Sequence, residues 1–328
     1  MGETYISHLV WSMNKSFYLI VFILTVLFSC NPNGNRTEIL GDRIIPKNLD
    51  FGHRFNDEGA EDDFDNAKTL NLVSWNIQHL GRTKTPETLS EIANILRDFD
   101  IVAIQEVVAK DPAGAQAVAM IADELNRMGF KWDYQISDPT KSPSVYISER
   151  YAFLWKTSRV SMIHRAYLDK ELEDFCYREP FIASFKVKGN KEPFYVVNYH
   201  SRKYNDRPEE EIIHFLDYPQ RLNSQRILIA GDFNLSEKHA VWEPFYRRGF
   251  KNAIKNERTT LKMKCENGDY LSHPIDNIYI TSGITKVKAN SLDFVKHCDN
   301  LEKARSISDH LPIYIEFRIE DGNESRSR

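Results

Sequence analysis

Short apolar runs alternate with polar segments along the chain from Thr69 onward. Two of these runs have helical spacing, over residues 86–99 and over residues 113–128, and the second ends before Gly129. Further helices are expected near residues 207–218 and 237–247. The other runs have the length and the β-branched or aromatic content of strands, and they cover residues 70–77, 100–107, 151–156, 159–164, 180–187, 193–200, 226–233, 274–280 and 311–317.

Because strands outnumber helices and several gaps have hairpin length, the pattern predicts an α/β fold with two mixed β-sheets packed on each other and helices outside. The 328 residues, 41% of them hydrophobic, are enough for such a core. Residues 69–318 form the single folded unit in this interpretation. Residues 319–328 are polar and predict a disordered tail.

The amino-terminal segment has a different character. Residues 17–28 are apolar except for Thr25, which is the length of a signal-peptide core and short for a membrane span. We expect residues 1–30 to be a signal peptide and residues 31–68 to be a flexible acidic linker. Cys30 lies in a sequence that resembles the lipobox of bacterial lipoproteins, so lipidation, simple secretion and an uncleaved anchor remain open. All three place the folded domain outside the cytoplasm, as in a bacterial cell envelope, and the membrane is reached only through such an anchor.

Charge and cysteine content limit the partners. A net charge of −4 excludes a strong overall basic field, so an anionic partner must meet a local basic patch. Beyond Cys30 the chain has three cysteines, Cys176, Cys265 and Cys298, which allow one disulfide that the sequence does not choose. A monomer is expected.

Polar side chains recur at the ends of the predicted strands. Each could be an ordinary cap or turn residue, but strand ends on one edge of packed sheets converge in space, where sites are commonly built. The set comprises Asn76, Glu106, Glu149, His200, Asp232, Asn234, Asp276, Asp309 and His310.

The chemistry of this set is that of phosphodiester hydrolysis. Carboxylate and amide oxygens are hard ligands that suit Mg²⁺ or Mn²⁺. Two histidines with carboxylates nearby can remove one proton and donate another. Asn234 can donate an N–H group to a developing negative charge. A metal, a base, an acid and an oxyanion donor together serve in-line attack on a phosphate.

Eight segments, in order, resemble the serial motifs of the endonuclease/exonuclease/phosphatase superfamily, and of its secreted deoxyribonuclease I branch in particular. The likeness covers residues 70–317. "SERYAFLWK" and "YREP" point to the deoxyribonuclease branch, and "GDFN" and "SDHLP" point to the superfamily as a whole. The segments are "SWNIQHLG", "IVAIQEV", "SERYAFLWK", "YREPFIASF", "VVNYHS", "LIAGDFN", "IDNIYI" and "ISDHLPI".

The resemblance implies a four-layered α/β sandwich and Mg²⁺-dependent cleavage of phosphodiesters. It assigns the metal to Glu106, with Asn76, Asp232 and Asp309 close by. It pairs His310 with Asp276 and His200 with Glu149, and we expect His310 to be the base and His200 the acid. It also places Asp232 and Asn234 at the scissile phosphate and Arg178 at a backbone phosphate of the substrate.

The chain departs from the deoxyribonuclease pattern at two contacts with duplex DNA. Val108 stands where that branch has a minor-groove arginine, and Ile147 replaces a groove-stacking tyrosine. The structural disulfides of the branch are not reproduced in the same places. These changes put efficient cutting of double-stranded DNA in doubt but leave phosphate cleavage intact.

Two further sites are open. Asp174 and Glu179 could retain part of the family's calcium site, or could belong to a solvated acidic loop. Arg202 or Lys203, just beyond His200, could grip a substrate phosphate, or could belong to a charged helix entrance.

Three functions follow from these observations. The leading hypothesis is an exported metal-dependent endonuclease, with DNA as a substrate before RNA. The second is a phosphodiesterase of phospholipid or another small phosphate ester. The third, a binding module that kept the fold and lost catalysis, predicts gaps in the acid, base and metal set, and the sequence has none.

Overall fold

A computed structural model describes residues 69–190 and 192–320. Its strands are β1 (Leu70–Leu80), β2 (Ile101–Val108), β3 (Trp132–Ile136), β4 (Glu149–Lys156), β5 (Val160–Met162), β6 (Tyr167–Leu168), β7 (Phe181–Val187), β8 (Pro193–His200), β9 (Ile227–Asp232), β10 (Lys251–Asn252), β11 (Leu261–Glu266), β12 (Asp269–Leu271), β13 (Asp276–Ile280), β14 (Ile284–Ser291) and β15 (Ile313–Ile319). Its α-helices are α1 (Pro86–Leu96), α2 (Ala113–Arg127), α3 (Glu209–Ile212), α4 (Tyr218–Arg221), α5 (Glu243–Arg247) and α6 (Leu301–Ile307).

The strands form two large mixed sheets. The first has the order β14-β15-β1-β2-β4-β3, and the second has the order β10-β13-β9-β8-β7-β5, with β6 also paired to β7. Strands β1 and β2 are parallel, as are β8 and β9, and the other neighbours are antiparallel. A separate hairpin is formed by β11 and β12. The predicted α/β class with two packed mixed sheets is confirmed.

Three apolar clusters separate the layers of this fold. The central cluster joins inward side chains of both sheets, such as Phe153 and Phe185, whose rings meet at 5.8 Å. A second cluster lies between the first sheet and helices α1 and α2, and a third covers the outer face of the second sheet. The order helix, sheet, sheet, helix is the four-layered sandwich that the motifs imply.

Helix α1 shows how the sequence pattern produces the outer layer. Pro86 occupies its first turn and the Thr85 side chain accepts a hydrogen bond from the backbone N–H of Thr88, which caps the amino end. Leu89, Ile92 and Leu96 are buried on one face, as the spacing predicts. Helix α2 ends at Arg127, one residue before the predicted end at Met128.

The observed elements differ from the predicted ones at several places. The helices expected near 207–218 and 237–247 are short pieces separated by 3-10 turns. Strands β3, β11, β12 and β14 and helix α6 were not predicted. The central strands are buried on both faces and have the clearest apolar pattern, whereas β14 is an edge strand with one buried residue, Ile284. Strand β15 extends to Ile319, one residue into the predicted tail.

One disulfide joins Cys265 in β11 to Cys298, and Cys176 is a buried free thiol. No helix within the described ranges is both long enough and apolar enough to cross a membrane. The predicted signal peptide, Cys30, the linker and most of the predicted tail lie outside the described residues.

Candidate active site

Three functional side chains meet because the ends of three neighbouring strands of the second sheet, β8, β9 and β13, are in register. His200 lies opposite Asp232 across the parallel pair, and Asp276 lies opposite Asp232 across the antiparallel pair. Gly231 permits the close approach, since a Cβ atom there would lie 1.8 Å from the carbonyl oxygen of Tyr199. The register alone therefore brings a histidine and two carboxylates together.

The first sheet contributes Asn76 and Glu106 through a bulge. The register of β1 and β2 shifts between Asn76 and Leu80, where Glu106 adopts a φ of 60°. A residue other than glycine is uncommon in this region, and such conformations concentrate at functional sites. The backbone N–H of Glu106 donates to Glu149 Oε1 at 3.3 Å. The bulge thus aims Glu106 away from the regular pleat and toward the site.

The segment before β15 fastens His310 to the first sheet. Ser308 Oγ donates to the carbonyl oxygen of Asn76 at 2.6 Å and accepts the backbone N–H of His310 at 3.1 Å. The indole N–H of Trp75 donates to the carbonyl oxygen of His310 at 2.8 Å. His310 is therefore held by β1, although its imidazole reaches the second sheet.

Each imidazole is paired with a carboxylate through Nδ1, as the resemblance implied. His310 Nδ1 lies 2.9 Å from Asp276 Oδ2, and His200 Nδ1 lies 3.0 Å from both oxygens of Glu149. All four residues are buried. A carboxylate at Nδ1 fixes the orientation of the ring and leaves Nε2 for chemistry.

Both Nε2 atoms face one carboxylate oxygen. Asp232 Oδ2 lies 3.5 Å from His200 Nε2 and 3.7 Å from His310 Nε2, and it also accepts Asn76 Nδ2 at 3.2 Å. The other oxygen of Asp232 accepts the backbone N–H of Asn234 at 2.9 Å. Asn234 has a φ of 50°, which turns the chain sharply after β9. The two histidines therefore open into a shared cleft.

The charges in the cleft shift its pKa values strongly. Burial alone would lower the pKa of His310, but Asp276 and Asp232 outweigh it and raise that pKa to about 10. Burial would likewise lower the pKa of His200, and the Glu149 charge raises it above the usual range. Burial, and then the charge of Asp276, raise the pKa of Asp232. Without a substrate or cation, the imidazole of His310 holds its proton at neutral pH.

Asn76 and Glu106 offer the oxygens that a divalent cation needs. Burial would raise the pKa of Glu106, but His200 and the hydrogen bonds from His79 and Asn76 lower it to about 2, so the carboxylate is ionised. Asn76 Oδ1 is buried and has no hydrogen-bond partner among the described residues, while its Nδ2 donates to Glu106 Oε1 at 3.1 Å. A buried polar atom normally has a partner. A hard cation beside Glu106 would supply one, so these residues fit Mg²⁺ or Mn²⁺.

Asp232, Asp276 and His310 also approach within 4.8 Å of one another, a spacing that could hold a cation. Their existing contacts favour proton transfer instead. Asp276 Oδ2 already accepts Thr259 Oγ1 at 2.6 Å and also lies 2.9 Å from His310 Nδ1.

Asp309 is bound to strand β1 near Asn76. Its Oδ2 accepts Gln78 Nε2 at 2.9 Å, two residues beyond Asn76. The role of Asp309 as a metal ligand stays a prediction.

Arg178 is buried and paired with a carboxylate, unlike an arginine that is free to bind a substrate phosphate. It is 7% exposed, its Nε lies 2.9 Å from Glu149 Oε2, and it donates to the carbonyl oxygens of Ile147 and Ser201. It therefore holds the carboxylate that orients His200. Direct contact with a substrate phosphate stays a prediction for Arg178.

Arg202 faces inward. Its Nε lies 2.9 Å from Glu211 Oε1, its Nη2 donates to the carbonyl oxygen of Phe175 at 2.9 Å, and its guanidinium lies 4.3 Å from the ring centroid of Tyr177. A substrate phosphate would have to displace these contacts. The structure therefore does not support the predicted binding of a substrate phosphate by Arg202. Lys203 is exposed, and its role stays a prediction.

The two acids expected near calcium already face lysines. Lys141 Nζ lies 2.9 Å from Asp174 Oδ1, and Lys170 Nζ lies 2.6 Å from Glu179 Oε1. Glu179 also accepts the backbone N–H of Lys141 at 2.8 Å. A calcium ion would have to displace an ammonium group at either acid. Glu179 is fully buried, so it does not belong to a solvated loop either.

Thr259 is a site residue that the sequence reasoning missed. It is fully buried and donates to Asp276, and its own Oγ1 accepts the backbone N–H of Asp276 at 3.2 Å. It lies in a loop with no periodic pattern, so no local signal could have found it.

Comparison with known proteins agrees with this geometry. Residues 73–310 match the Endonuclease/Exonuclease/phosphatase family. A deoxyribonuclease of Thioalkalivibrio sp. is 29% identical over 269 residues, covering 76% of this chain and 71% of that protein. Bovine deoxyribonuclease-1 is 27% identical over 264 residues, covering 75% of this chain and 92% of that protein. A Bacteroides vulgatus endonuclease/exonuclease/phosphatase structure has a TM-score of 0.57 at 16% identity, covering 77% of this chain and 99% of that one. A family match across most of the folded part, on a site of this geometry, shows that the chain belongs to the endonuclease/exonuclease/phosphatase family.

Proposed function

We propose that this protein is an exported, Mg²⁺-dependent (or Mn²⁺-dependent) endonuclease that hydrolyses the phosphodiester backbone of nucleic acid, DNA in preference to RNA. The observation that carries the proposal is the convergence of two carboxylate-paired imidazoles on Asp232, beside an ionised Glu106. The names of the curated relatives, which are deoxyribonucleases, support the choice of substrate. Export is inferred from the apolar run at residues 17–28 alone.

The two histidines divide the proton transfers. One imidazole removes the proton from the attacking water, and the other donates a proton to the leaving oxygen. Such positioned transfers contribute about 10²–10⁴ in rate each. We assign His310 as the base and His200 as the acid, following the family resemblance. Because the pKa of His310 is raised to about 10, His310 must release its own proton before it can accept one from water. Asp276 and Glu149 hold the rings so that each Nε2 points into the cleft.

The remaining polar groups position and stabilise the phosphate. The protonated imidazole of His310 attracts the anionic substrate before reaction. Asp232 keeps both rings in place, and the side-chain amide of Asn234, two residues beyond Asp232, would donate to a phosphoryl oxygen. A divalent cation held by Glu106 and Asn76, with Asp309 nearby, would neutralise negative charge on the phosphoryl oxygens.

The substrate arm of the proposal is tested by digestion. The protein is incubated with plasmid, single-stranded DNA, RNA and phospholipid, each with Mg²⁺, Mn²⁺, Ca²⁺ or a chelator. We expect DNA cleavage that needs Mg²⁺ or Mn²⁺ and is lost in His310→Ala. His164→Ala, which changes an exposed histidine, is the matched control and keeps activity. Turnover of phospholipid without DNA cleavage would replace the nuclease with the esterase hypothesis, and no turnover of any substrate would contradict both.

A further inference from the structure

A groove lies beside the candidate active site, between the turn that follows β1 and the first half of helix α2. Its volume is about 410 Å³, within the range of about 300–1,000 Å³ that small-molecule sites occupy. Its floor is apolar and its rim carries two basic side chains. The lining residues that matter here are Leu89, Ala117 and Met120 in the floor and Arg82 and Lys84 at the rim.

Of the two basic side chains, Arg82 is weakly engaged and Lys84 is held in place. The Arg82 side chain is 80% exposed, and its Nη2 lies 3.8 Å from Asp111 Oδ2, a long ion pair at the surface. Such pairs contribute little to stability, so the guanidinium is available to a ligand. Lys84 Nζ donates to the carbonyl oxygen of Ser306 at 3.1 Å, which fixes the ammonium at the rim.

The groove begins beside the segments that build the site. Lys84 Nζ donates to the carbonyl oxygen of Ser306, two residues before Ser308, whose hydroxyl donates to the carbonyl oxygen of Asn76. Gly81, at the inner end of the groove, follows the bulge that carries Asn76, and a Cβ atom there would lie 3.0 Å from Val108 Cγ2. An anionic chain that passes Glu106 would therefore meet Lys84 and then Arg82.

We propose that this groove is a subsite for one nucleotide of a single-stranded nucleic acid, adjacent to the phosphodiester that is cut. The inference rests on the proposed function. The backbone phosphate of this nucleotide lies between Lys84 and Arg82, and its base lies on Met120 and the apolar floor. The net charge of −4 requires a local basic patch for an anionic strand. Arg202 does not provide that patch, because it is bound to Glu211.

The floor suits a base that is not stacked in a duplex. Met120 is 41% exposed and lines the groove together with the buried Leu89 and Ala117. A thioether is polarisable and adapts to flat partners. A base can enter such a groove only when its neighbours are unstacked, as in single strands. Val108 and Ile147, which stand where duplex contacts are expected, agree with this preference.

The test measures the binding of a fluorescently labelled single-stranded oligonucleotide by fluorescence anisotropy. A chelator is present so that no cleavage occurs. For Arg82→Gln we expect Kd to rise about fivefold, and the slope of log Kd against log salt to fall by about 0.7, the loss of one phosphate contact. For Met120→Ala we expect Kd to rise about threefold with the slope unchanged, because an apolar contact releases no counterions.

Arg97→Gln is the matched control, since the Arg97 side chain is 49% exposed and also forms a 3.8 Å ion pair, with Asp98, away from the groove. It should bind as the unchanged protein does, and melting temperatures establish that all variants fold. A wild-type salt slope in Arg82→Gln, or wild-type affinity in Met120→Ala, would overturn the subsite. Hydrolysis of bis(p-nitrophenyl) phosphate, which has no neighbouring nucleotide, tests the proposed function separately through its dependence on His310.

Discussion

Truncation of Glu211 would destabilise the protein strongly, although this residue belongs to a run of three glutamates near the surface. Its side chain is fully buried. It accepts the hydroxyl of Tyr199 at 2.5 Å and the backbone N–H groups of Tyr177 and Arg202 at 2.5 and 2.8 Å, in addition to its ion pair with Arg202. Glu211→Ala leaves these donors buried without their acceptor.

The magnitude follows from burial and from the partners that remain. Removing one member of a buried ion pair costs about 3–5 kcal/mol. The Arg202 side chain is 13% exposed and keeps contacts with the carbonyl oxygens of Phe175 and Asp206, so the lower end of the range applies. We therefore expect the free energy of unfolding to fall by about 3 kcal/mol, and Tm by about 6–12 °C for a domain of this size.

Urea denaturation and thermal melting measure this change. Glu210→Ala is the matched control: its side chain is 43% exposed and its contacts are surface ion pairs with Arg202 and Arg207, so we expect a loss of about 0.5 kcal/mol or less. A Glu211→Ala loss below about 1 kcal/mol would refute the reasoning that a buried acceptor network organises the segment after His200.

Three other substitutions test the site and the fold. Asp276→Asn should lower kcat by about 10²–10⁴ through misorientation of His310, with little change in KM, and a loss under tenfold in steady-state assays would speak against the pairing. Asn76→Ala should raise the Mg²⁺ concentration for half-maximal activity by about 10–100-fold, and an unchanged metal titration would remove it from the cation site. Replacing Cys265 and Cys298 by serine opens a loop of 33 residues, and should lower the free energy of unfolding by about 3–4 kcal/mol. Equal urea midpoints for the oxidised wild type and this variant would exclude that stabilisation.

The sequence predicts the inner layers of this fold well, because the strands that meet between the sheets have continuous apolar runs. Strand β9 is buried at every position and was found within a residue of its ends. Strand β14 was missed because it is an edge strand whose side chains are mostly polar and exposed. The helix expected over 207–218 changes to a 3-10 helix at Ile213–Asp217, since Pro219 has no backbone N–H and its ring crowds the preceding turn.

The residues of the candidate site were also predictable only in part. The pairs His200–Glu149 and His310–Asp276 were expected from motif resemblance, and both are hydrogen-bonded in the structure. Contacts made by loops were not predictable. Thr259 reaches Asp276 from outside any regular element, and the inward turn of Arg202 depends on Glu211, nine residues further along the chain. Such contacts follow from tertiary packing and leave no periodic signal in the sequence.

The central claim is that His200 and His310 act on one phosphodiester in the cleft at Asp232. It is tested most directly by kcat for His200→Ala and His310→Ala on an oligonucleotide and on a p-nitrophenyl phosphodiester, whose leaving group needs no proton. We predict that both variants lose about 10²–10⁴ on the oligonucleotide, and that only His200→Ala recovers most of its rate on the p-nitrophenyl ester. Wild-type kcat on the oligonucleotide in either variant would contradict the account.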